Sequence, residues 1–491
     1  MIVCTRWGED LGMSVNESVT DQVDAMRQGT LRPTTLVDQA ITRIGQLNPA
    51  VNAVITLAEA RAREEAASWD LAWSTGNDLP PLAGVPVLIK DNQRTEGIRT
   101  TLGSSRFLDQ VPEVDAGIVA RLRAAGAIIL GKTNIPEYSI GANTVNPVFG
   151  ATGNPFDPAM TCGGSSGGSA VAVALDMTKL ATGSDHGGSL RIPASYCGVI
   201  GYRATPGVVP NEERRTPSTH YSLQGPIAQN VADAALMLSV IADRSHGGER
   251  DPMTFPLDTQ QFLNLADVDL GQLKVAVSAD LGGLLVSRDT RNLFVERIER
   301  LASRFDTCDW HDIDLTEAPG VDWHLRQDVF VSQYFEEAGS WDENFSRNVR
   351  QTYEAAMQTS MQAIAEARYR QLQLMHRCQE LFNDYDLLIV PGVGVQPFPW
   401  KQDYPEMVDG QVIENYMAWL HLTSSLTVVG LPVLAMPLGQ DTGGMPFGVQ
   451  LVGKRHADHQ LLSVARALEQ SCREDVLLRR PLPDTAFSPR S

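Results

Sequence analysis

The amino-acid sequence predicts an α/β protein in which a large mixed β-sheet is covered by helices on both faces. Short apolar runs rich in β-branched residues alternate with stretches of helical periodicity. The helical pattern at 115–126, for example, is followed directly by the run AIILG at 127–131. No Pro/Ser-rich linker divides the 491 residues, of which 43% are hydrophobic and 20% charged. This composition is globular, and the alternation implies a parallel or mixed sheet between two helical layers.

In the first half of the chain, apolar spacing and capping residues define the elements. One helix ends at Gly29, and the next begins at a Thr34 cap and ends before Pro49. The run LAGVPVLIK predicts a buried strand despite Pro86. The other predicted elements of this half are helices at 19–28, 115–126, 168–175 and 230–242 and a strand at 127–131.

The second half repeats the alternation with longer loops. We expect residues 1–15 to be a loose extension and residues 16–485 to form one domain, since no linker interrupts them. Strands are predicted at 273–278, 386–392 and 448–453, helices at 288–305, 353–385 and 459–470, and surface excursions at 244–257, 306–325 and 393–413.

Charge and cysteine content argue against several functional classes. A formal net charge of −19 disfavours nucleic acid and anionic membranes as partners, because both select basic surfaces. The six cysteines include no CxxC pair, so neither a disulfide framework nor a zinc site is indicated, and a cytoplasmic location is expected. No apolar run approaches the ~18 residues that would span a bilayer.

Two clusters of glycine and serine stand out. They read TCGGSSGGSA at 161–170 and DHGGSLR at 185–191, and glycine concentrates where the backbone must approach another group closely. A phosphate-binding loop is not indicated, because neither GxxxxGK[ST] nor GxGxxG is present here. A nucleophile elbow GxSxG fits at Ser165 or Ser166, but loop rather than the required strand precedes it.

A lysine offers another way to activate a serine hydroxyl. Lys90 ends the apolar strand, and a neutral lysine can accept a serine proton. Its pKa must fall by about 3 units from 10.4 to leave it neutral near pH 7, and burial has this effect. Strand alternation directs the neighbouring Asp91 to the other face, away from Lys90. The alternative is a lysine whose stem packs on the strand while its amine reaches solvent.

The second cluster supplies hydrogen-bond donors for such a reaction. Ser189 follows Asp185, His186, Gly187 and Gly188, so consecutive backbone N–H groups can point toward a carbonyl that Ser189 attacks. Donors of this kind form an oxyanion hole and typically contribute about 3–4 kcal/mol each. For GGS taken alone, a tight turn is the alternative.

Together these segments resemble the amidase signature family of amide hydrolases. The resemblance rests on Lys90 in GVPVLIKDN, Ser165 in GGSSGGSA and Ser189 in SDHGGSLRIPASYCGVIGYRAT, in that order. It extends over nearly the whole chain, from LNPAVNAV near the start to MPFGVQLVG near the end. It implies the amidase signature fold, with no metal and no cofactor.

The resemblance also implies a Ser–cisSer–Lys triad. Ser189 would be the nucleophile that forms an acyl-enzyme, Ser165 the bridging serine after a cis peptide bond with Gly164, and Lys90 the base. The implied oxyanion hole consists of the backbone N–H groups of His186, Gly187, Gly188 and Ser189.

Two positions depart from the family pattern. His186 replaces a residue that is usually small or β-branched, and we expect it to pack or line the pocket rather than act as a base. Cys162 replaces a common proline, and with Tyr138 it is a candidate for the substrate-binding wall. Arg191 is expected to pair with Asp185 and brace the loop. Further candidates for an aromatic wall are Trp400, Tyr404 and Trp419.

The expected function is hydrolysis of a small-molecule carboxylic amide to carboxylate and ammonia or amine. One alternative is the glutaminase subunit of a tRNA-dependent amidotransferase, which works with a partner chain. Another is a catalytically silent binding protein of the same fold. The expected partner is the amide substrate, with no nucleic acid and no membrane, and a homodimer is one possible assembly.

Overall fold

Strands whose side chains alternate between two apolar layers form a mixed sheet at the centre of the fold. The computed structural model describes residues 18–75, 79–334, 345–413 and 415–487, and within these ranges eleven strands share this sheet. The loose extension predicted at 1–15 lies outside the described residues.

The strands are short, and most of those in the main sheet consist largely of buried residues. They are β1 (Val54–Leu57), β2 (Pro86–Lys90), β3 (Ile128–Thr133), β4 (Val145–Asn146), β5 (Gly150–Ala151), β6 (Leu180–Asp185), β7 (Ile200–Arg203), β8 (Leu223–Ala228), β9 (Lys274–Val277), β10 (Thr307–Trp310), β11 (Leu387–Pro391), β12 (Met407–Val408), β13 (Gln411–Val412), β14 (Val433–Gln440) and β15 (Pro446–Val452). Two small hairpins, β4–β5 and β12–β13, lie outside the main sheet.

The helices connect these strands and cover the sheet. They are α1 (Val19–Arg27), α2 (Pro33–Val51), α3 (Glu59–Ser74), α4 (Gly117–Ala124), α5 (Gly167–Ala174), α6 (Arg191–Cys197), α7 (Val231–Ile241), α8 (Arg288–Ala302), α9 (Ala318–Gln333), α10 (Arg347–Gln358), α11 (Met361–Asp384), α12 (His421–Val429) and α13 (Asp458–Cys472). Within the described ranges, no helix combines the length and apolar character needed to cross a membrane.

The sheet places the strands from the first half of the chain on one side and those from the second half on the other. Its order is β1-β3-β2-β6-β8-β7-β14-β15-β11-β9-β10. Strand β2 runs parallel to β3 and β6, and β9 runs parallel to β10 and β11, whereas the central pairs are antiparallel. Strand β14, near the end of the chain, pairs with β7 from the first half, with Val433 opposite Arg203.

Alternation along each strand divides the core into two layers. On β2, Val87 and Ile89 pack into the layer that contains α1, α4, α7, α8 and α13, whereas Leu88 packs into the layer that contains α2, α3 and α5. Helices α9, α11 and α12 continue this second layer over the C-terminal strands. The predicted fold class, a large mixed sheet with helices on both faces, is confirmed.

The predicted bounds of α2 are wrong at both ends. Thr34 is not the cap, because the helix begins at Pro33 after Arg32. Instead, the Asp70 carboxylate on α3 accepts hydrogen bonds from the backbone N–H of Thr34 at 3.1 Å and from its hydroxyl at 2.7 Å. Pro49 lies in the last turn, where the helix loses only one hydrogen bond and continues to Val51.

Two predictions in the second half are also corrected. Residues 306–325 are not a surface excursion, since they contain β10 and the start of α9. The single helix predicted at 353–385 is two helices, because the hydroxyl of Ser360 accepts the Ala363 N–H at 3.1 Å and starts a new helix there.

Candidate active site

Lys90 ends β2 in the interior of the protein, where it has no exposed surface. Its backbone N–H donates to Thr182 Oγ1 at 2.9 Å, which ties the strand end to β6. Burial lowers the pKa of Lys90 well below its ordinary value, and the Asp185 carboxylate opposes this effect only in part. Asp91 turns away and accepts hydrogen bonds from Thr101, as strand alternation predicts.

Three serine hydroxyls surround the Lys90 amine. Nζ lies 2.7 Å from Ser165 Oγ, 2.9 Å from Ser166 Oγ and 2.8 Å from Ser184 Oγ. The Gly164–Ser165 peptide bond is cis. The solvent-reaching alternative for Lys90 is therefore wrong, and its amine belongs to a buried cluster of hydroxyls.

The glycine clusters allow the close approach that their composition predicts. Gly168 packs directly on the backbone of Asn134, leaving no space for a side chain. Gly188 has φ 130°, and a Cβ there would lie 2.5 Å from Thr423 Oγ1. These positions let α5 pack against the Asn134 backbone and the Ser189 loop against the Thr423 side chain.

Ser189 lines the same cavity as Ser165. The Ser166 N–H donates to the Ser189 carbonyl at 3.3 Å, which joins the two glycine-serine segments. Within the described part of the chain, no hydrogen bond joins the Ser165 and Ser189 hydroxyls. Lys90 and Ser165 are thus in direct contact, and Ser189 shares their cavity.

Asp185 organises the loop that carries Ser189. Its carboxylate accepts the N–H groups of Gly188 at 2.9 Å and Leu190 at 3.1 Å and pairs with Arg191 and Arg203. Burial alone would raise the pKa of Asp185, but the two guanidinium groups outweigh burial and hold the pKa of this carboxyl well below its usual range. The expected brace between Arg191 and Asp185 is present.

This arrangement bears on the predicted oxyanion donors. The N–H of Gly188 is already donated to Asp185. The N–H groups of His186, Gly187 and Ser189 have no acceptor among the described residues. Three of the four predicted donors therefore remain available beside Ser189.

The His186 side chain packs away from the two serines. Its Nδ1 lies 3.0 Å from Ser222 Oγ, and its ring centroid lies 4.8 Å from that of Tyr221. Burial, together with the charges of Arg326 and Arg203, lowers the pKa of His186 to about 3. A histidine with this pKa stays neutral and is a weak base. His186 also lines the cavity, so it serves as part of the wall.

A cavity of about 910 Å³ opens above these residues. Tyr138 lines it, and its ring packs 5.2 Å from that of Tyr334 between centroids. Cys162 does not line the cavity; this prediction is wrong because its buried thiol donates to the carbonyls of Thr152 and Gly163 instead. The apolar walls include Leu102, Phe107, Tyr138, Ile140, Ile192, Val329, Phe330, Tyr334, Met417 and Leu420.

The predicted aromatic wall is also wrong. Trp400, Tyr404 and Trp419 are not among the residues that line the cavity. Trp419 packs edge-on against Phe398, with ring centroids 5.3 Å apart, in a separate buried cluster. The neighbouring Tyr416 lines the cavity instead.

The sequence interpretation missed several contributors. Ser184 contacts Lys90 directly, and Arg203 supplies the second guanidinium beside Asp185. Polar residues in the buried strand β6 were an available signal for Ser184, because they interrupt an otherwise apolar strand. Arg203 lies at the end of β7, and only the pairing of β7 with β8, and of β8 with β6, brings it near Asp185.

A buried amine and several hydroxyl groups that meet at a large cavity are features of an enzyme. A family model described as Amidase matches residues 35–462. The chain therefore belongs to the Amidase family of amidase signature enzymes, and it is a hydrolase that acts on carbon–nitrogen bonds.

Two relatives illustrate the range of this similarity. The chain is 32% identical to a glutamyl-tRNA(Gln) amidotransferase subunit from Synechococcus sp. (strain WH7803), over 94% of this chain and 98% of that protein. It is 30% identical to an acylamidase of Rhodococcus erythropolis, over 92% of this chain and 94% of that protein.

Solved structures of amidase signature enzymes share the fold. A bacterial aryl acylamidase superposes with a TM-score of 0.85 at 26% identity, covering 95% of this chain and 99% of that one. The peptide amidase of Stenotrophomonas maltophilia superposes with a TM-score of 0.79 at 26% identity, covering 96% and 99%.

Proposed function

We propose that this enzyme hydrolyses carboxylic amides to carboxylate and ammonia or amine through an acyl-enzyme on Ser189. The single observation that best supports this chemistry is the 2.7 Å contact between Lys90 Nζ and Ser165 Oγ in a fully buried setting. Ser165 would bridge Lys90 and Ser189, with Lys90 as the base.

The proton path begins at Lys90. Desolvation lowers the pKa of its amine, so the amine is available as a proton acceptor at a lower pH than an exposed lysine. As Ser189 Oγ attacks the carbonyl carbon, Ser165 takes its proton and passes its own to Lys90. The Ser165 and Ser189 hydroxyls approach each other when substrate binds, since catalytic hydrogen bonds commonly tighten in the complex.

The developing negative charge forms beside the Ser189 loop. The unsatisfied N–H groups of His186, Gly187 and Ser189 donate to the carbonyl oxygen of the tetrahedral intermediate. Asp185 holds the loop in position and forms ion pairs with Arg191 and Arg203.

Collapse of the intermediate breaks the carbon–nitrogen bond. Ser165 gives a proton to the departing nitrogen and regains one from Lys90, which leaves the acyl group on Ser189 Oγ. Water then attacks the acyl-enzyme, with Lys90 and Ser165 again accepting a proton, and the carboxylate departs.

Intact-mass spectrometry after treatment with a fluorophosphonate tests these roles. We expect one adduct on wild type, none on Ser189→Ala, and strongly slowed labelling of Lys90→Ala. Thr75→Ala, on the surface after α3, is the matched control and should label like wild type. Labelling of Ser165 or Ser166 in place of Ser189 would contradict the proposal.

The amidotransferase relatives support a second candidate, the glutaminase subunit of a tRNA-dependent amidotransferase. Ammonia release from glutamine, absent with simple amides and strongly raised by a partner chain, would favour it. The apolar walls contributed by Tyr138, Phe330 and Leu420 favour an amide with an apolar chain in its acyl or amine part.

Assembly and location follow from the sequence alone. We expect a cytoplasmic protein with no nucleic acid or membrane partner, because the chain is strongly acidic and its cysteines form no framework. A homodimer is one possible assembly, and sedimentation velocity over a range of concentrations measures the oligomeric state.

A further inference from the structure

One wall of the cavity comes from a single helix. Trp323, Arg326, Gln327 and Phe330 on α9 all line the cavity. Their spacing of three, four and seven positions places them on neighbouring stripes of one helical surface. Two of these four side chains are polar, and they stand among apolar neighbours.

Gln327 is buried, with 1% of its surface exposed, and it lines the cavity. Among the described residues, neither its Nε2 nor its Oε1 has a hydrogen-bond partner. A buried amide left without partners costs free energy, so such a group in a cavity indicates a partner that binds there.

Arg326 stands beside the Ser189 loop. A Cβ on Gly187 would lie 2.9 Å from Arg326 Nη2, so the guanidinium touches the loop that carries the oxyanion donors. Its Nε has no partner among the described residues, and its Nη1 donates to the Met417 thioether at 2.9 Å, a weak acceptor. Asp322 forms an ion pair with it at 3.3 Å.

The charged side chains beside this wall and beneath the Ser189 loop carry a net charge of +1. The guanidinium groups of Arg191, Arg203 and Arg326 face two carboxylates, those of Asp185 and Asp322. Around the rim of the cavity, each lining carboxylate that the structure describes is matched by an arginine, in the pairs Arg94–Glu213, Arg121–Glu212 and Arg123–Asp115. Among the described residues, the floor beside Ser189 therefore carries an excess positive charge that no rim carboxylate is free to balance.

We propose that Arg326 and Gln327 form a subsite for a carboxylate on the substrate, separated from the reacting carbonyl by a short chain. This inference rests on the proposed amidase function and names its substrate class. The guanidinium would bind the carboxylate by charge-assisted hydrogen bonds, and the Gln327 Nε2 would donate to the same group or to a neighbouring carbonyl. The apolar walls enclose the chain between the two polar ends.

Paired substrates test the subsite. Succinamate carries the carboxylate on the acyl side and N-butyrylglycine carries it on the amine side, and the methyl ester of each is the uncharged partner. We expect one of the two acids to exceed its ester in kcat/KM, and the pair that shows this preference identifies the side. Arg326→Gln should lower that ratio about 30-fold, the effect of losing one charge-assisted interaction.

Three further variants serve as controls for the effect of Arg326→Gln. Asp322→Asn/Arg326→Gln removes both charges and should show the same loss of ratio without an unpaired buried carboxylate. Arg326→Lys should retain part of the ratio. Arg370→Gln, which removes an exposed ion pair with Glu317 on the outside of the protein, should leave the ratio at the wild-type value.

The outcomes separate this inference from the proposed function. The subsite would be overturned if the amide bonds of both esters were hydrolysed as readily as those of both acids. It would also be overturned if Arg326→Gln left the acid-to-ester ratio of kcat/KM unchanged. Either result leaves the amidase function intact. If wild type cleaves none of the amides, the proposed function fails. Calorimetric titration of Ser189→Ala with succinamate and N-butyrylglycine then tests the subsite independently of hydrolysis. The subsite requires that one of the two acids binds and that adding Arg326→Gln to Ser189→Ala weakens this binding.

Discussion

Two lysines at neighbouring strand ends share complete burial but face opposite sides of the sheet and have different hydrogen-bond partners. Lys90 on β2 and Lys132 on β3 have no exposed surface. The strand register pairs Lys132 with Ile89, so the two side chains point to opposite faces of the sheet. Lys90 meets three serine hydroxyls, whereas Lys132 donates to the Gln93 carbonyl and to two threonine hydroxyls.

The surroundings set the charge of each amine. Burial lowers the pKa of Lys132 to about 8, and the Asp91 carboxylate limits the fall. A carbonyl can only accept a hydrogen bond, so it favours a protonated amine, whereas a serine hydroxyl can rotate and donate to a neutral one. Burial is therefore insufficient to make a lysine a base, because the partners decide which protonation state is stable.

Exchanging Lys90 for methionine should have the largest effect. Lys90→Met should lower kcat/KM by about 10³-fold or more, since the proposed base is lost. Its thermodynamic stability should fall by no more than about 1 kcal/mol, because a neutral amine leaves no unpaired charge behind. Steady-state kinetics and urea unfolding measure the two quantities, and a folded variant with wild-type activity would refute the role of Lys90.

The same exchange at Lys132 should give the opposite outcome. Lys132→Met should lower the free energy of unfolding by about 3 kcal/mol, because the Asp91 carboxylate loses its nearby positive charge and the Gln93 carbonyl its donor. Asp91→Asn/Lys132→Met should recover part of this loss in urea unfolding. Equal stability of Lys132→Met and wild type would contradict the supporting role.

The smallest expected effect concerns pH. The pKa of Lys90 lies well below its ordinary value of 10.5, so kcat/KM should rise with pH as the amine loses its proton, with a midpoint below 10.5. Between that midpoint and 10.5 the unfolded chain binds more protons, so the contribution of Lys90 to stability also rises with pH.

The double variant at positions 91 and 132 should leave this activity midpoint within about 0.5 pH unit of wild type, because both groups face the other side of the sheet. A pH profile of kcat/KM for wild type and the double variant measures it. A larger displacement would mean that the two lysines titrate together.

Periodicity made the buried elements predictable. The strands at β3, β9, β11 and β15 and the helix α7 were expected near their observed bounds, because each is apolar enough to show its period. The strand at β2 was expected from Leu82 but begins at Pro86. The edge strand β10, TCDW, lacks this signal, since it pairs only with β9 and is partly exposed. The start of α2 depends on Asp70, a residue of another helix that no local pattern reveals.

For the site, chemistry in a local motif was easier to predict than chemistry assembled by the fold. The glycine-serine clusters and Lys90 were identified because composition and strand position mark them. Arg326 and Gln327 are ordinary helix residues in sequence, and only their place against the Ser189 loop distinguishes them. Cys162 was misplaced because a residue next to a motif can still point into the core.

The contacts of Arg191 make folding of the Ser189 loop depend on residues that are synthesised much later. Its guanidinium donates to the Thr423 carbonyl and to Gln450 Oε1, residues that are translated 232 and 259 positions later. Strand β7 also lacks one of its two neighbours in the sheet until β14 has been synthesised. A nascent chain that already carries both serine clusters thus lacks the contacts that fix their loop. The ribosome must therefore finish nearly the whole protein before an active enzyme can form. Premature termination that removes β15 would abolish activity, although the two serine clusters lie far upstream in the sequence.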